Sequence, residues 1–217
     1  MIAISARSVG ANDLVPRRTV SGAGGRVTPV SVTTGPDAIV RCPWGDDPAM
    51  ISYHDTEWGR ELRGDRELFE RMSLEAFQSG LSWAIILRKR EHFREAFAGF
   101  DPAAVAAFGD ADVARLLGDA GIVRNRLKIE ATISNARTLL ALDESFSDLL
   151  WSFAPAPAPA PTSYADVPAT TEESIAMAKA LKRRGFRFVG PTTAYALMQA
   201  TGMVNDHLAG CVARTRS

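Results

Sequence analysis

The sequence predicts an all-α fold, and three observations predict it. From Arg41 onward, apolar residues recur at helical spacing. Capping residues and stop glycines bracket those stretches, and no alternating run suggests a strand ladder. At 217 residues and 46% hydrophobic, the chain can build one core of ordinary size.

The elements follow in order. Residues 1–40 contain no Phe, Trp, Tyr, His or Lys and have little to bury, so they are expected to form a mostly disordered tail ahead of a domain at 41–217. The tail lacks the apolar core of a signal peptide. Its Arg- and Ser-bearing, acid-poor composition is faintly like a transit sequence, but a plain tail, or a start placed too far upstream, is the simpler reading. "RCPWGDDPAMISYHDTEWG", 41–59, has no clear helical or strand period. Asp65 is a candidate cap for "RELFERMSLEAFQS", with Gly80 as its stop, and Ser82 for "WAIILRKREHFREAF". Asp101 with Pro102 forms a cap with proline at the first helical position, and Asp110 precedes "ADVARLLGDA". "NRLKIEATISNARTLLALD" carries apolar Leu127, Ile129, Ile133, Ala136 and Leu140. "APAPAPAP", 154–161, favours extended geometry and is expected to be a stiff surface loop without the basic flanks of a proline-domain ligand. Thr170 and Glu173 match a capping box ahead of a helix stopped by Gly185, and Gly190-Pro191 opens a last helix ending near Gly202.

The net charge is zero, so no global field draws the chain to nucleic acid or an anionic membrane, although a local basic patch would serve. No apolar run approaches the roughly 20 residues needed to span a bilayer. Two cysteines do not make a secreted disulfide framework. They could bridge, stay reduced or bind metal. Each has a histidine nearby: Cys42 with His54, and Cys211 with His207 four residues ahead, on one face if that segment is helical. These four make the Cys2His2 set of tetrahedral structural zinc, which would staple the two ends of the domain and leave no open position for hydrolysis. Two buried free cysteines with incidental histidines is the alternative; His92 sits on a charged face.

Glu75 is a carboxylate on the wrong face. It follows Leu68 by seven residues, about 20° away around a helix, so it falls on the stripe meant for burial. It either snorkels or pairs with an arginine, or it is buried with a shifted pKa. Trp44, Tyr53, Trp58 and Trp83 could wall such a site. "DAGIVRNRLKI", 119–129, reads as helix, glycine turn and helix start, with Arg124, Arg126 and Lys128 beside backbone N–H groups suited to phosphate. Lys182, Arg183, Arg184 and Arg187 form a second basic stretch; either stretch could be a solvated face.

These segments together resemble the bacterial 3-methyladenine DNA glycosylase I family of the helix-hairpin-helix glycosylase superfamily. The carrying motifs are "RCPW…YHDTEWG", "LEAFQSGLSWAIILRKRE", "DAGIVRNRLKI" and "RRGFRFVGPTTAYALMQATGMVNDHLAGC", in that order, over Arg41 to Cys211. The resemblance implies a helix-hairpin-helix fold with one structural zinc on Cys42, His54, His207 and Cys211. It implies base-excision release of N3-methyladenine from alkylated double-stranded DNA by a cytoplasmic, monomeric enzyme without membrane contact. It carries the base-pocket glutamate onto Glu75 and the stacking tryptophan onto Trp83, with Tyr53, Trp44 and Trp58 as further pocket aromatics. Gly80 and Leu81 fall on the loop that probes the gap left by a flipped nucleotide. Gly121, Ile122, Val123 and Arg124 fall on the phosphate-contacting hairpin. Two departures stand out: Met50 replaces a family tyrosine, which would make one pocket wall a thioether, and the spacing from Cys42 to His54 is one residue shorter than usual. No lysine stands in the pocket motifs for Schiff-base chemistry, so a monofunctional enzyme without lyase activity is expected. The rival is a non-catalytic, zinc-stapled DNA-binding module, which has no use for Glu75. A zinc hydrolase would need an open metal position.

Overall fold

A computed structural model of the chain describes residues 31–46 and 48–216. The tail expected at 1–40 therefore lies largely outside the described residues, but its last part does not. Thr33–Thr34 (β1) pairs antiparallel with Val40–Arg41 (β2), Thr33 opposite Arg41. Regular structure is thus already present ahead of Arg41, in a short strand pair that the sequence did not announce. Among the described residues, nine α-helices make up most of the remainder: α1 (Pro48–Thr56), α2 (Asp65–Gln78), α3 (Trp83–Ala96), α4 (Pro102–Ala106), α5 (Asp110–Gly118), α6 (Arg126–Leu140), α7 (Phe146–Trp151), α8 (Glu172–Arg183) and α9 (Pro191–Ala200).

The segment 41–59 is not irregular. A 3-10 turn, Pro43–Asp46, leads into α1, which has Pro48 at its first position, where a missing N–H costs nothing. Three expected caps are reassigned. Asp65 lies inside α2, whose N-cap is Gly64, and its Oδ1 instead accepts from the Ser147 N–H (2.8 Å) and the Ser145 hydroxyl (3.1 Å), capping α7 across the fold. At α5 the cap is Gly109, whose N–H donates to Asp112. At α8 it is Thr171, which exchanges bonds with Ser174, in place of Thr170 with Glu173. Ser82 does cap α3 by position, without a side-chain bond, while Asp101 accepts from the Ala104 N–H as expected.

The core runs through α2. Leu68, Phe69, Met72 and Phe77 are fully buried, and Phe77 meets Phe93 at 4.7 Å and leads into the stacked Phe97 and Phe100. Around α2 pack α3, α6, α7 and α9; α4 backs α6, and α8 backs α9. On α6, Ile129, Ile133 and Ala136 are buried, but Leu127 and Leu140, at its two ends, are exposed. The Ala/Pro stretch 154–161 has no regular structure and lies along the C-terminal segment, where the Pro161 carbonyl accepts from Ala209 N–H and that of Ala158 from Arg214. Among the described residues, no helix is long and apolar enough to cross a membrane.

Candidate active site and metal centre

Cys42, His54, His207 and Cys211 converge from the two ends of the described chain. Their candidate ligand atoms lie within 4.8 Å of one another and all four residues are buried. The Cys211 Sγ is 3.4 Å from His54 Nε2 and 3.6 Å from His207 Nδ1, and Cys42 Sγ is 3.7 Å from His207 Nδ1. A tetrahedral ion with metal–sulfur bonds of ~2.3 Å and metal–nitrogen bonds of ~2.05 Å has S···N edges of about 3.6 Å. The donor set therefore fits such an ion in type and spacing.

The outer ring nitrogens are already engaged. His54 Nδ1 lies 2.7 Å from Asp55 Oδ1, and His207 Nε2 lies 3.0 Å from the Trp58 carbonyl. Each acceptor fixes a tautomer that leaves the inward nitrogen as a lone-pair donor. Asp55 is held in turn by the buried Arg41 through three hydrogen bonds of 2.8–3.1 Å. Burial opposes the Asp55 charge, yet the bonds from Arg41 and His54 keep its carboxyl below the usual range. Of the two thiols, the hydrogen bond between them raises Cys42 and lowers Cys211. A divalent cation is what would allow both to be thiolates.

The same segment that supplies Cys42 and His54 supplies an aromatic wall. Trp44 meets His54 edge-on at 4.9 Å and Trp58 at 4.9 Å, and Trp58 meets His207 at 4.6 Å. Tyr53 lies 5.3 Å from Trp83. Trp44, Tyr53, Trp58, Glu75 and Trp83 line one narrow cavity together with Gln78, Ala196 and Gln199. The five residues expected from the sequence are thus brought together, and the last three were missed. Gln78 lies one turn beyond Glu75, and Gln199 is a polar residue on the apolar face of α9, the signal that marked Glu75.

Glu75 neither snorkels nor forms an arginine pair. It is 5% exposed, and no donor among the described residues bonds to its carboxylate. Burial pushes its pKa up to about 7, against the opposing charge of Arg71 one turn earlier. The Trp83 indole N–H is also buried without a partner. An unbonded acceptor and an unbonded donor thus flank an aromatic slot, an arrangement suited to a flat, polar-edged, cationic ring. Met50 is buried in the core and is not among the residues lining the slot, so the thioether wall expected there is absent.

These features coincide with a family match. A sequence profile described as methyladenine glycosylase matches residues 44–215. The chain belongs to the methyladenine glycosylase family. Within this family, the chain is 49% identical over 178 residues to DNA-3-methyladenine glycosylase 1 of Escherichia coli (strain K12), covering 79% of this chain and 95% of that one. It is 45% identical to DNA-3-methyladenine glycosylase of Haemophilus influenzae, over 81% of this chain and 98% of that one. A crystal structure of a 3-methyladenine DNA glycosylase I superposes with a TM-score of 0.77 at 49% identity, covering 79% and 98% of the two chains. A tyrosine-to-phenylalanine variant of such an enzyme, solved in complex with 3-methyladenine, superposes with a TM-score of 0.75 at 33% identity, covering 80% and 97%.

Two further segments were singled out by the sequence, and neither contributes to the slot lining. Gly80 takes φ +86° in the turn between α2 and α3, is exposed, and has open space where a Cβ would sit; Leu81 beside it is half-buried. The buried Lys128 of α6 reaches this turn, donating to the carbonyls of Phe77 (2.9 Å) and Ser79 (2.6 Å). In the 121–124 turn, Gly121 does not present its N–H outward: Asp119 Oδ1 takes it at 2.7 Å. Ile122 is a core residue. Among the described residues, the N–H groups of Val123 and Arg124, ahead of α6, have no partner, and the Arg124 side chain is exposed.

Proposed function

We propose that the chain excises N3-methyladenine from alkylated double-stranded DNA, by flipping the nucleotide and hydrolysing its N-glycosidic bond to leave an abasic site in an uncut strand. The observation that carries this reading is Glu75, a buried and unbonded carboxylate in an aromatic slot. Membership of a family whose curated relatives are named DNA-3-methyladenine glycosylases supports it.

Methylation at N3 makes adenine formally cationic, so the base departs as a neutral molecule and needs little general-acid help. The chain's work is selection. Flipping costs a few kcal/mol, least for a poorly paired base. Stacking on Trp83 returns ~1–3 kcal/mol per base, and the cationic ring adds a cation–π component. Glu75 accepts from the exocyclic amine, and its charge favours the cationic base over ordinary adenine. The buried Lys128 is held by two carbonyls away from the slot lining, which supports a monofunctional enzyme. The segment 119–129 acts as the helix-hairpin-helix element, gripping phosphate through Val123, Arg124 and the first turn of α6. Gly80 and Leu81 fill the gap left by the flipped base.

The four-ligand cluster holds one structural zinc. Its residues staple Trp44, Tyr53 and Trp58 in place and leave no coordination position for water. The protein works as a monomer in the bacterial cytoplasm, where its DNA is. Base release from methylated duplex DNA, resolved chromatographically for wild type and Glu75→Gln, tests the reading. Free 3-methyladenine with little 7-methylguanine and intact strands is expected from wild type alone. No release from folded, zinc-loaded protein would favour a DNA-binding module instead.

A further inference from the structure

One buried cation stands beside the slot without lining it. Arg71 lies one helical turn before Glu75 on the same face of α2 and is only 9% exposed. A buried guanidinium persists only if its donors and its charge are answered. Arg71 Nη1 donates to the Tyr53 hydroxyl oxygen at 2.9 Å, and Nη2 approaches Glu57 at 3.3 Å. Glu57 is already engaged at both oxygens by Arg90 of α3. Arg71 and Arg90 therefore share Glu57, and these three side chains carry one net positive charge that an ionised Glu75 would balance.

The hydroxyl geometry points the same way. A guanidinium has donors and no acceptor. With Arg71 at its oxygen, the Tyr53 O–H proton is directed away from Arg71, and Tyr53 lines the slot together with Glu75 and Trp83. The other charged and polar neighbours are already engaged, Glu70 of α2 among them, bonded to Arg94. Tyr53 and Glu57 come from α1 and the turn after it, and Arg90 stands behind Glu57. Lys128 of α6 is held at carbonyls, and α9 brings the Gln199 amide with Asp206 behind it. Arg71 is the charge that acts on Glu75 directly.

We propose that Arg71 is a positioning residue of the base pocket, which turns the Tyr53 hydroxyl proton away from itself toward the slot and, by its charge one turn before Glu75, favours the carboxylate form that a cationic base needs. The inference rests on the methyladenine reading for its purpose, but its test does not use the reaction. Carboxyl-carbon NMR of protein labelled at glutamate, with Glu75→Gln to assign the signal, reads the Glu75 titration directly. Arg71→Gln removes the charge and keeps a donor; its Glu75 midpoint should rise by about one pH unit or more, a tenfold change in proton affinity. Arg71→Lys, with the charge retained, should stay within a few tenths. The acidic limb of the pH profile for 3-methyladenine release should move with the midpoint. An unmoved Glu75 in folded Arg71→Gln overturns the role of Arg71 and leaves the glycosylase reading intact. A wild type that releases no base overturns that reading while the titration still decides Arg71. Should Arg71→Gln fail to fold, Arg71→Lys with a midpoint raised by a full unit would overturn the proposal, and an unshifted one supports it.

Discussion

Replacing Glu75 by glutamine should abolish base release and, at alkaline pH, make the protein more stable. Glu75 is 5% exposed, and burial takes its carboxyl from an ordinary 4.5 to about 7. At about 1.4 kcal/mol per unit, that difference is roughly 3 kcal/mol. The sign follows from proton counting. Between pH 4.5 and about 7 the folded protein keeps a proton that the unfolded chain has released, so this group's contribution to stability falls as pH rises through that window. Below it nothing is lost, and above it the full penalty of a buried carboxylate applies. Glutamine does not titrate, and every other group is common to both proteins. Urea unfolding of zinc-loaded wild type and Glu75→Gln should therefore give stability differences that shift by about 3 kcal/mol in favour of the variant from roughly pH 4.5 to 8. Parallel curves would refute the reasoning, because they would mean that Glu75 ionises in the folded state as it does in water. The expected outcome is a stability–activity trade at one residue.

Purified protein should carry about one zinc ion, and removing it with a chelator, or substituting Cys42→Ser, should lower both Tm and base release, read by elemental analysis alongside calorimetry. Trp83→Ala should weaken binding of free 3-methyladenine by ~1–3 kcal/mol, about 5- to 150-fold, in a fluorescence titration, with Trp83→Phe losing less. Gly202 takes φ +76°, and a Cβ there would lie within 2.6 Å of the Arg60 carbonyl oxygen and the Glu61 nitrogen. Gly202→Ala should cost on the order of 3 kcal/mol in denaturant unfolding, since neither backbone atom can give way.

What the sequence disclosed and what it withheld divide by range. Glu75 was legible because a polar residue seven positions after Leu68 breaks a local pattern, and the two Cys–His pairs because cysteine is scarce. The same local rule marks Arg71, three residues after Leu68, and Gln199 on α9; both were passed over. The helix α1 was announced by an Asp-Pro pair at 47–48 like the one at 101–102, but the aromatics around it hid its period. Asp65 was misread for a different reason. Its partner, the N-terminus of α7, lies about 80 residues away, and a cap looks the same in sequence whichever helix it serves. Leu127 lies about 200° around α6 from Ile129 and so faces outward, whereas Leu140 keeps the Ile133 stripe yet is exposed as the last residue of the helix.

The metal cluster has a consequence for how the protein is made. Cys42 emerges from the ribosome well before its partner His207, which follows 165 residues later. At translation rates of 5–20 residues per second, the interval is roughly 10–30 s. Throughout that time Trp58 lacks the His207 ring it packs against, and Cys42 lacks both of its C-terminal partners. No partly made chain owns a finished slot, so competence arrives in one event, when His207 and Cys211 close on Cys42 and His54.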